Sequence, residues 1–210
     1  MMSAMDPPLH ERVYGGLKAD YLAGLFVPGK KIDIQELATR HRSSKTPVRE
    51  AAFTMVGEGL LTHHADGGFL VPILAPKELV ELLYWHMQLL ITVLATVKES
   101  TLRQALQPYA VFDQETSAVG IAIRTNEIFL AMAEATGNRE ATLDVRRLND
   151  RLHYSRIAEA TAPIYSAKEL AIFTSMEVES FRKATRRRVE AYHVRKIDRQ
   201  LQVIRSERQI

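Results

Sequence analysis

The chain has 210 residues, of which 46% are apolar, so it is long enough to bury one or two hydrophobic cores. It contains no cysteine, which excludes disulfides, thiolate metal sites and cysteine nucleophiles. The formal net charge of +3 permits a nucleic-acid partner but does not by itself indicate one. The N-terminal segment lacks a signal pattern, and the longest apolar run, Leu89 to Ala95, is too short to span a membrane. We therefore expect a soluble, cytoplasmic protein.

The first predicted element is a helix from Leu9 to Ala23, in which apolar residues recur at helical spacing. Gly24 follows it as a C-terminal glycine. The segment from Leu25 to Gly29 is predicted to be a turn, after which an apolar pattern through Leu37 leads into a second helix. These two helices precede the most informative stretch of the chain.

The stretch from Gln35 to Glu50 is typical of a helix-turn-helix. Thr46 is predicted to be the side-chain N-cap of its second helix, with Pro47 at the first helical position, where a missing N–H costs nothing. This recognition helix is predicted to end near Glu58, with an inward face of Val48, Ala51, Ala52, Met55 and Val56. The first residues of such a helix meet base edges in the DNA major groove, and here they are polar: Ser44, Lys45, Thr46 and Arg49.

Two short apolar segments follow the recognition helix and flank the sequence from Ala65 to Gly68. Gly67 and Gly68 are free to take positive φ, so the pattern predicts a β-hairpin. A hairpin directly after a recognition helix is a wing.

Residues 9 to 72 resemble the winged helix-turn-helix of the GntR family of bacterial transcription regulators. The matched positions include Glu36-Leu37-Ala38, Thr46-Pro47-Val48-Arg49-Glu50-Ala51, Glu58-Gly59-Leu60 and Gly68-Phe69. The turn departs from the family, because His41-Arg42-Ser43-Ser44-Lys45 replaces Leu-Gly-Val-Ser-Arg, and Lys45 loses bidentate recognition of guanine. The resemblance implies a homodimer on a palindromic operator. The candidate DNA contacts are Gln35, Arg42, Ser44, Lys45, Thr46, Arg49, His63, His64 and Gly68.

From Pro76 onward the pattern is all-α. The predicted helices are Pro76–Lys98, Leu102–Leu106, Val111–Ala135, Arg139–Ala160, Ala167–Phe181 and Thr185–Ser206. We predict a mainly α fold, in which a winged helix-turn-helix with a small β-hairpin occupies residues 1–74. Residues 75–210 are expected to form an antiparallel helical bundle that binds an effector and dimerises.

Phe129 and the segment from Ala133 to Asn138 resemble the FadR branch of the family, with its FCD-type effector domain. Relatives of that branch bind small carboxylates, often through a metal. The metal pattern fails here, because the family's aspartate and histidine would fall at Asn126 and Leu130. The family's carboxylate-binding arginine would fall at His86, and His193 is the one later histidine that matches.

The candidate effector-binding residues are His86, Asn126, Leu130, His153 and His193. We expect no cofactor or metal and a less charged, aromatic or hydrophobic effector, because the family's charged groups are missing. Three alternatives stay open: His193 as a hydrogen-bonded core residue, a metal site that joins it to His86 and His153, and a bundle that only dimerises. No nucleophile–base pair, phosphate loop or carboxylate dyad indicates an enzyme. The expected function is a ligand-responsive repressor.

Overall fold

The computed structural model describes residues 8–110, 117–160, 175 and 178–207. Packing divides the chain into two compact units, the first ending at Ile73 and the second beginning at Leu74. The described residues are mainly helical, with a single two-stranded antiparallel hairpin. This confirms the predicted fold class.

The N-terminal unit contains three helices and the hairpin. They are α1 (Leu9–Leu22), α2 (Ile34–Arg40), α3 (Lys45–Gly57), β1 (Thr62–His63) and β2 (Phe69–Leu70). Thr62 pairs with Leu70 and His63 with Phe69, and Gly67 and Gly68 have φ of +79° and +89° in the connecting turn. The predicted wing is therefore present.

The core of the N-terminal unit lies between α1 and α3. Val13, Leu17 and Tyr21 are buried on α1, one helical turn apart, as period-3.6 spacing requires. The predicted inward residues of α3 are confirmed at Val48, Ala51, Ala52 and Met55, whereas Val56 is only half-buried. Burial of this face leaves Arg49 exposed on the opposite side of α3.

The start of α3 differs from the prediction. The helix begins at Lys45, with Ser44 as the N-cap residue, and the Ser44 side chain makes no capping hydrogen bond. Thr46 and Pro47 are the second and third helical residues, so the predicted N-cap was wrong by two positions. The backbone N–H groups of the first helical turn have no acceptor within the helix. A proline at any position of that turn therefore loses no hydrogen bond, and its presence does not define the first helical residue.

The N-terminus of α2 is capped by Asp33. One carboxylate oxygen accepts hydrogen bonds from the backbone N–H groups of Gln35 and Glu36, at 2.7 and 3.1 Å. We expect Asp33→Ala to lower the free energy of unfolding of the N-terminal unit by about 1 kcal/mol. Asp33→Asn retains an acceptor oxygen and serves as the control. Urea unfolding followed by circular dichroism measures both variants. An Asp33→Ala variant as stable as the wild-type protein would contradict a capping role.

The C-terminal unit is helical throughout its described residues. Its helices are α4 (Pro76–Thr96), α5 (Glu99–Leu106), a 3₁₀ turn (Gln107–Tyr109), α6 (Ala118–Glu134), α7 (Arg139–Ala160) and α8 (Phe181–Glu207). α4 packs on α8 and α6 packs on α7, while α4 also contacts α6 and α7. Gly137 has a φ of +69° in the turn between α6 and α7, a conformation that commonly ends a helix and that glycine adopts without strain.

The start of α8 differs from the sequence-based prediction. It begins at Phe181 rather than at Thr185, and Phe181 is fully buried in the core. The Glu99 carboxylate of α5 accepts hydrogen bonds from the backbone N–H groups of Phe181 and Arg182, at 3.1 and 3.3 Å. A carboxylate stabilises a helix N-terminus, and this one comes from a distant helix, so the local sequence could not indicate it. The rest of the predicted helix Ala167–Phe181, and residues 111–116, lie almost entirely outside the described residues.

The large hydrophobic core of the C-terminal unit joins α4, α5, α6 and α8. Its largest fully buried side chains include Leu90, Leu102, Leu106, Phe129 and Phe181. A smaller cluster joins α4 and α7 through Leu82, Leu83, Leu148 and Leu152. Val145, Leu148 and Leu152 form a buried stripe on α7.

Among the described residues, α4 is the one helix long and apolar enough to cross a membrane by length and composition. Less than half of its most apolar window is buried. Core helices of soluble proteins meet the same criteria, so a single helix of this kind is weak evidence for a membrane.

Candidate nucleic-acid interface and interior polar cluster

A cleft of about 770 Å³ lies in the N-terminal unit, where α3 faces the wing. We call it the α3–wing cleft. Five of the predicted DNA contacts line it: Gln35, Lys45, Arg49, His63 and Gly68. The fold therefore brings together residues of α2, α3, β1 and the turn of the hairpin.

Lys45 and Arg49 carry the positive charge of α3 at this cleft. Both are exposed, and their spacing of four residues places them on one face of the helix. A guanidinium can donate two hydrogen bonds to a guanine edge, and an ammonium suits a phosphate oxygen. The surface has the chemistry to bind both the bases and the backbone of DNA.

The other predicted contacts do not line the cleft. Ser44 and Thr46 are exposed at the start of α3, and Arg42 is exposed in the preceding turn. Arg42 has a φ of +49°, in the left-handed region that glycine adopts without strain. This explains the glycine at the corresponding position of the family that the segment resembles. Its carbonyl oxygen accepts a hydrogen bond of 3.4 Å from Arg12 Nη2.

His64 is half-buried and participates in the turn of the wing. Its Nδ1 accepts a hydrogen bond from the backbone N–H of Asp66 at 3.1 Å. The backbone N–H of His64 donates to the Gly68 carbonyl at 3.0 Å. These contacts give His64 a structural part in the turn, and its contact with DNA stays a prediction.

Phe53 and Lys31 also line the α3–wing cleft, although neither was among the predicted contacts. Phe53 is 55% exposed, and its ring lies 5.0 Å from that of Phe69 and 5.8 Å from that of His63. These contacts hold the wing against α3. Phe53 lies four residues after Arg49, so helical spacing already placed it on the DNA-facing side.

Two histidines form a buried pair in the C-terminal unit. His86 Nδ1 and His193 Nε2 are 2.9 Å apart, and His193 Nδ1 lies 2.7 Å from the Val189 carbonyl oxygen. A carbonyl only accepts, so His193 Nδ1 is the donor there and, with both rings neutral, His86 Nδ1 donates to His193 Nε2. Burial lowers the pKa of His193 to about 3. Burial, and then the neighbouring His193 and Arg156, lower the pKa of His86 well below its ordinary value.

A second set of polar contacts involves Asn126 and His153. Asn126 Nδ2 lies 3.1 Å from His153 Nδ1. Asn149 Nδ2 donates to the backbone carbonyl oxygen of Asn126 at 2.9 Å. Leu130 is half-buried on the same helix as Asn126 and adds no polar group. Four of the five predicted effector residues therefore take part in buried or half-buried polar pairs.

Arg156 connects these two sets, although it was not among the predicted effector residues. It is 4% exposed, and its Nη1 donates to Asn126 Oδ1 and, at 2.9 Å, to Asn149 Oδ1. Its Cζ lies 5.4 Å from the centre of the Phe129 ring, which also contacts His86 and His193. We call His86, Asn126, Asn149, His153, Arg156 and His193 the interior cluster. Arg156 continues the stripe of Leu148 and Leu152, and this spacing could have identified it.

A metal site was one of the alternatives that the sequence left open. Within the part of the chain that the structure describes, no three His, Asp or Glu residues are grouped so that they could hold a metal ion. His86 Nδ1 and His193 Nε2 are hydrogen-bonded to each other, and these are the ring nitrogens that a metal bound between the two histidines would need.

A winged helix-turn-helix with a cationic cleft between its recognition helix and its wing defines a DNA-binding protein. Residues 9–71 match the family model described as "Bacterial regulatory proteins, gntR family". The N-terminal unit is therefore similar to the DNA-binding domain of this family, and the curated relatives that the chain resembles are transcriptional regulators rather than enzymes.

The similarity extends along most of the chain. The Nta operon transcriptional regulator of Aminobacter aminovorans is 25% identical over 197 residues, which cover 86% of this chain and 89% of that protein. A GntR regulator from Rhodococcus sp. RHA1 matches the fold with a TM-score of 0.73 at 18% identity, covering 91% of this chain and 97% of the other. E. coli McbR/YncC matches with a TM-score of 0.71 at 21% identity, covering 95% and 100%. At such identities the solved structures support the fold alone.

Proposed function

We propose that this protein is a ligand-responsive repressor of the FadR branch, with an FCD-like C-terminal domain, and that it binds a palindromic operator as a homodimer. Residues 1–74 would read DNA, and residues 75–210 would bind the effector and dimerise. The observation that carries the proposal is the α3–wing cleft, which gathers five predicted DNA contacts. Such a regulator acts on the chromosome, so its place is the cytoplasm.

In this proposal α3 enters the major groove of the operator. Arg49 donates to a base edge, and Lys45 contacts a phosphate or a base near the start of the helix. Gln35, Arg42, Ser44 and Thr46 lie on or beside the helix-turn-helix and add backbone contacts. The wing brings His63, His64 and Gly68 towards the adjacent sugar–phosphate chain.

The effector is proposed to bind at His86, Asn126, Leu130, His153 and His193, and to release the operator. It is proposed to be small and either less charged than a di- or tricarboxylate or mainly aromatic or hydrophobic. Its binding must favour one arrangement of the two DNA-binding units, because a ligand with equal affinity for both arrangements shifts nothing. In a second candidate function the bundle only dimerises, and operator binding is then independent of any ligand.

The proposal is tested by selecting bound sequences from random double-stranded DNA with the full-length protein. We expect a palindromic consensus whose half-sites are about one helical turn, ~34–36 Å, apart. Light scattering should give the mass of a dimer on one selected operator. An absence of sequence preference would refute specific operator recognition, and one unrepeated half-site bound by a monomer would refute the dimeric model.

A further inference from the structure

The wing hairpin carries no lysine or arginine of its own. Residues 62–70 contain one acidic residue, Asp66, which lies in the turn and has a side chain that is 86% exposed. In the proposed function the wing approaches a sugar–phosphate chain, and an exposed carboxylate repels phosphates. A cation from outside the hairpin is therefore needed for the wing to lie close to DNA.

Lys31 places such a cation at the turn of the wing. It belongs to a segment that pairs with β2, through an antiparallel bridge between Lys31 and Leu70. The backbone N–H of the next residue, Ile32, donates to the Phe69 carbonyl oxygen at 2.8 Å. Lys31 Nζ donates to the backbone carbonyl oxygen of Asp66 at 3.2 Å, although the two residues are 35 positions apart in the sequence. The backbone of the wing therefore holds the ammonium group in place.

Gly68 makes room for the Lys31 side chain. A Cβ on Gly68 would lie 3.0 Å from Lys31 Cε, which is closer than ordinary van der Waals contact. An ammonium has three N–H donors, and the Asp66 carbonyl accepts from one of them. Lys31 is exposed and lines the α3–wing cleft, so donors remain for a ligand in that cleft.

The cleft thus has cations on both of its sides. Lys45 and Arg49 lie on α3, whereas Lys31 lies on the side of the wing. In the proposed function α3 occupies the major groove and the wing lies along the adjacent sugar–phosphate chain. A lysine ammonium is a compact point charge on a flexible stem, which suits a phosphate oxygen. The position and the chemistry of Lys31 therefore both fit a phosphate.

We propose that Lys31 is the phosphate-binding residue of the wing, and that it supplies the positive charge that the hairpin itself lacks. The inference rests on the proposed function, since it assigns a further residue to the same DNA interface. It adds a contact from the segment before α2, which belongs neither to the helix-turn-helix nor to the hairpin. It also gives Gly68 the role of admitting the lysine stem.

The first test compares Lys31→Met with Lys30→Met in the full-length protein. Each change removes one exposed lysine, but Lys30 does not line the α3–wing cleft. Fluorescence anisotropy measures affinity for the selected operator over a range of salt concentrations. Lys31→Met is expected to weaken binding about fivefold or more, and to reduce the slope of log affinity against log salt by about 0.9 for each bound protomer, because one phosphate contact is lost.

Lys30→Met is the matched control and should leave both the affinity and the slope close to those of the wild-type protein. Circular dichroism establishes that both variants are folded. A wild-type slope in Lys31→Met, or equal losses in the two variants, would overturn the proposal.

Two further variants separate the charge of Lys31 from its hydrogen bond to the wing. Lys31→Arg keeps the charge and is expected to retain most of the affinity and the slope. Lys31→Gln keeps N–H donors without the charge, so its slope should fall as in Lys31→Met. A residue that only held the wing in place would alter the affinity without altering the slope. That result in folded Lys31→Gln would overturn the proposal.

Duplex DNA of unrelated sequence separates this inference from the proposed function. A phosphate contact does not depend on base sequence, so Lys31→Met should weaken binding to the operator and to unrelated DNA by the same factor. A loss confined to the operator would overturn the proposal, because it would make Lys31 a base-reading residue. If the protein selects no operator, the proposed function fails, and the comparison on unrelated DNA at low salt still tests Lys31. Specific operator binding that every Lys31 variant leaves intact would refute the Lys31 contact alone.

Discussion

Arg49→Ala is expected to weaken binding to the selected operator by about ten- to a hundredfold, while the variant stays folded. Arg49 is exposed on α3 and lines the α3–wing cleft, so its removal takes away a base or phosphate contact but no core packing. Fluorescence anisotropy with labelled operator at fixed salt measures the loss.

Arg147→Ala is the matched control for this measurement. It removes the same charge from an exposed position of α7 in the other unit, so operator affinity should change by less than about twofold. Circular dichroism establishes that both variants are folded. Wild-type affinity in a folded Arg49→Ala variant would remove Arg49 from the DNA interface.

The C-terminal unit is expected to lose stability as the pH falls from about 6.5 towards 4. Burial lowers the pKa of His193 to about 3 and that of His86 well below its ordinary value. The unfolded chain therefore binds more protons than the folded one across this range, and the free energy of unfolding decreases as the pH falls. Each neutral histidine contributes up to about 1.4 kcal/mol per pH unit once its unfolded form is protonated.

Urea unfolding between pH 7 and 4.5 tests this dependence, with the fluorescence of Trp85 reporting on the C-terminal unit. The double variant His86→Gln/His193→Gln is expected to be less stable at pH 7, because the buried pair is lost. Its stability should nevertheless fall less steeply with pH than that of the wild-type protein. His63→Gln, which changes an exposed histidine of the other unit, is the control. Equal slopes in the wild-type and double-variant proteins would refute buried neutral histidines.

The sequence predicted most of the N-terminal unit because the signals there are local. Apolar spacing marked the buried faces of α1 and α3, and Gly67 and Gly68 marked the turn of the wing. The error at the start of α3 arose because Pro47 is compatible with any position in the first helical turn. Helical spacing places Phe53 on the same face as Arg49, but it does not show that the ring contacts the wing. That role depends on its neighbours His63 and Phe69, which the helix pattern does not reveal.

The interior cluster was predicted only in part. Family positions pointed to His86, Asn126 and His193, but they could not show that His86 and His193 bond to each other. Arg156 falls at the next position of the buried stripe of Leu148 and Leu152, but arginines are mostly exposed, so its residue type argued against burial. Asn149 lies two turns before Arg156 on α7 itself, whereas Asn126 becomes an acceptor for Arg156 only when α6 packs on α7.

The sequence alone determined the wing, most helices of the described residues and the class of protein, because these depend on residue spacing within short segments. The tertiary structure decided which polar side chains meet: those that line the α3–wing cleft, the pair of His86 and His193, and the contacts of Arg156 with Asn126 and Asn149. Contacts between residues distant in sequence depend on how the helices pack, and no local pattern encodes them.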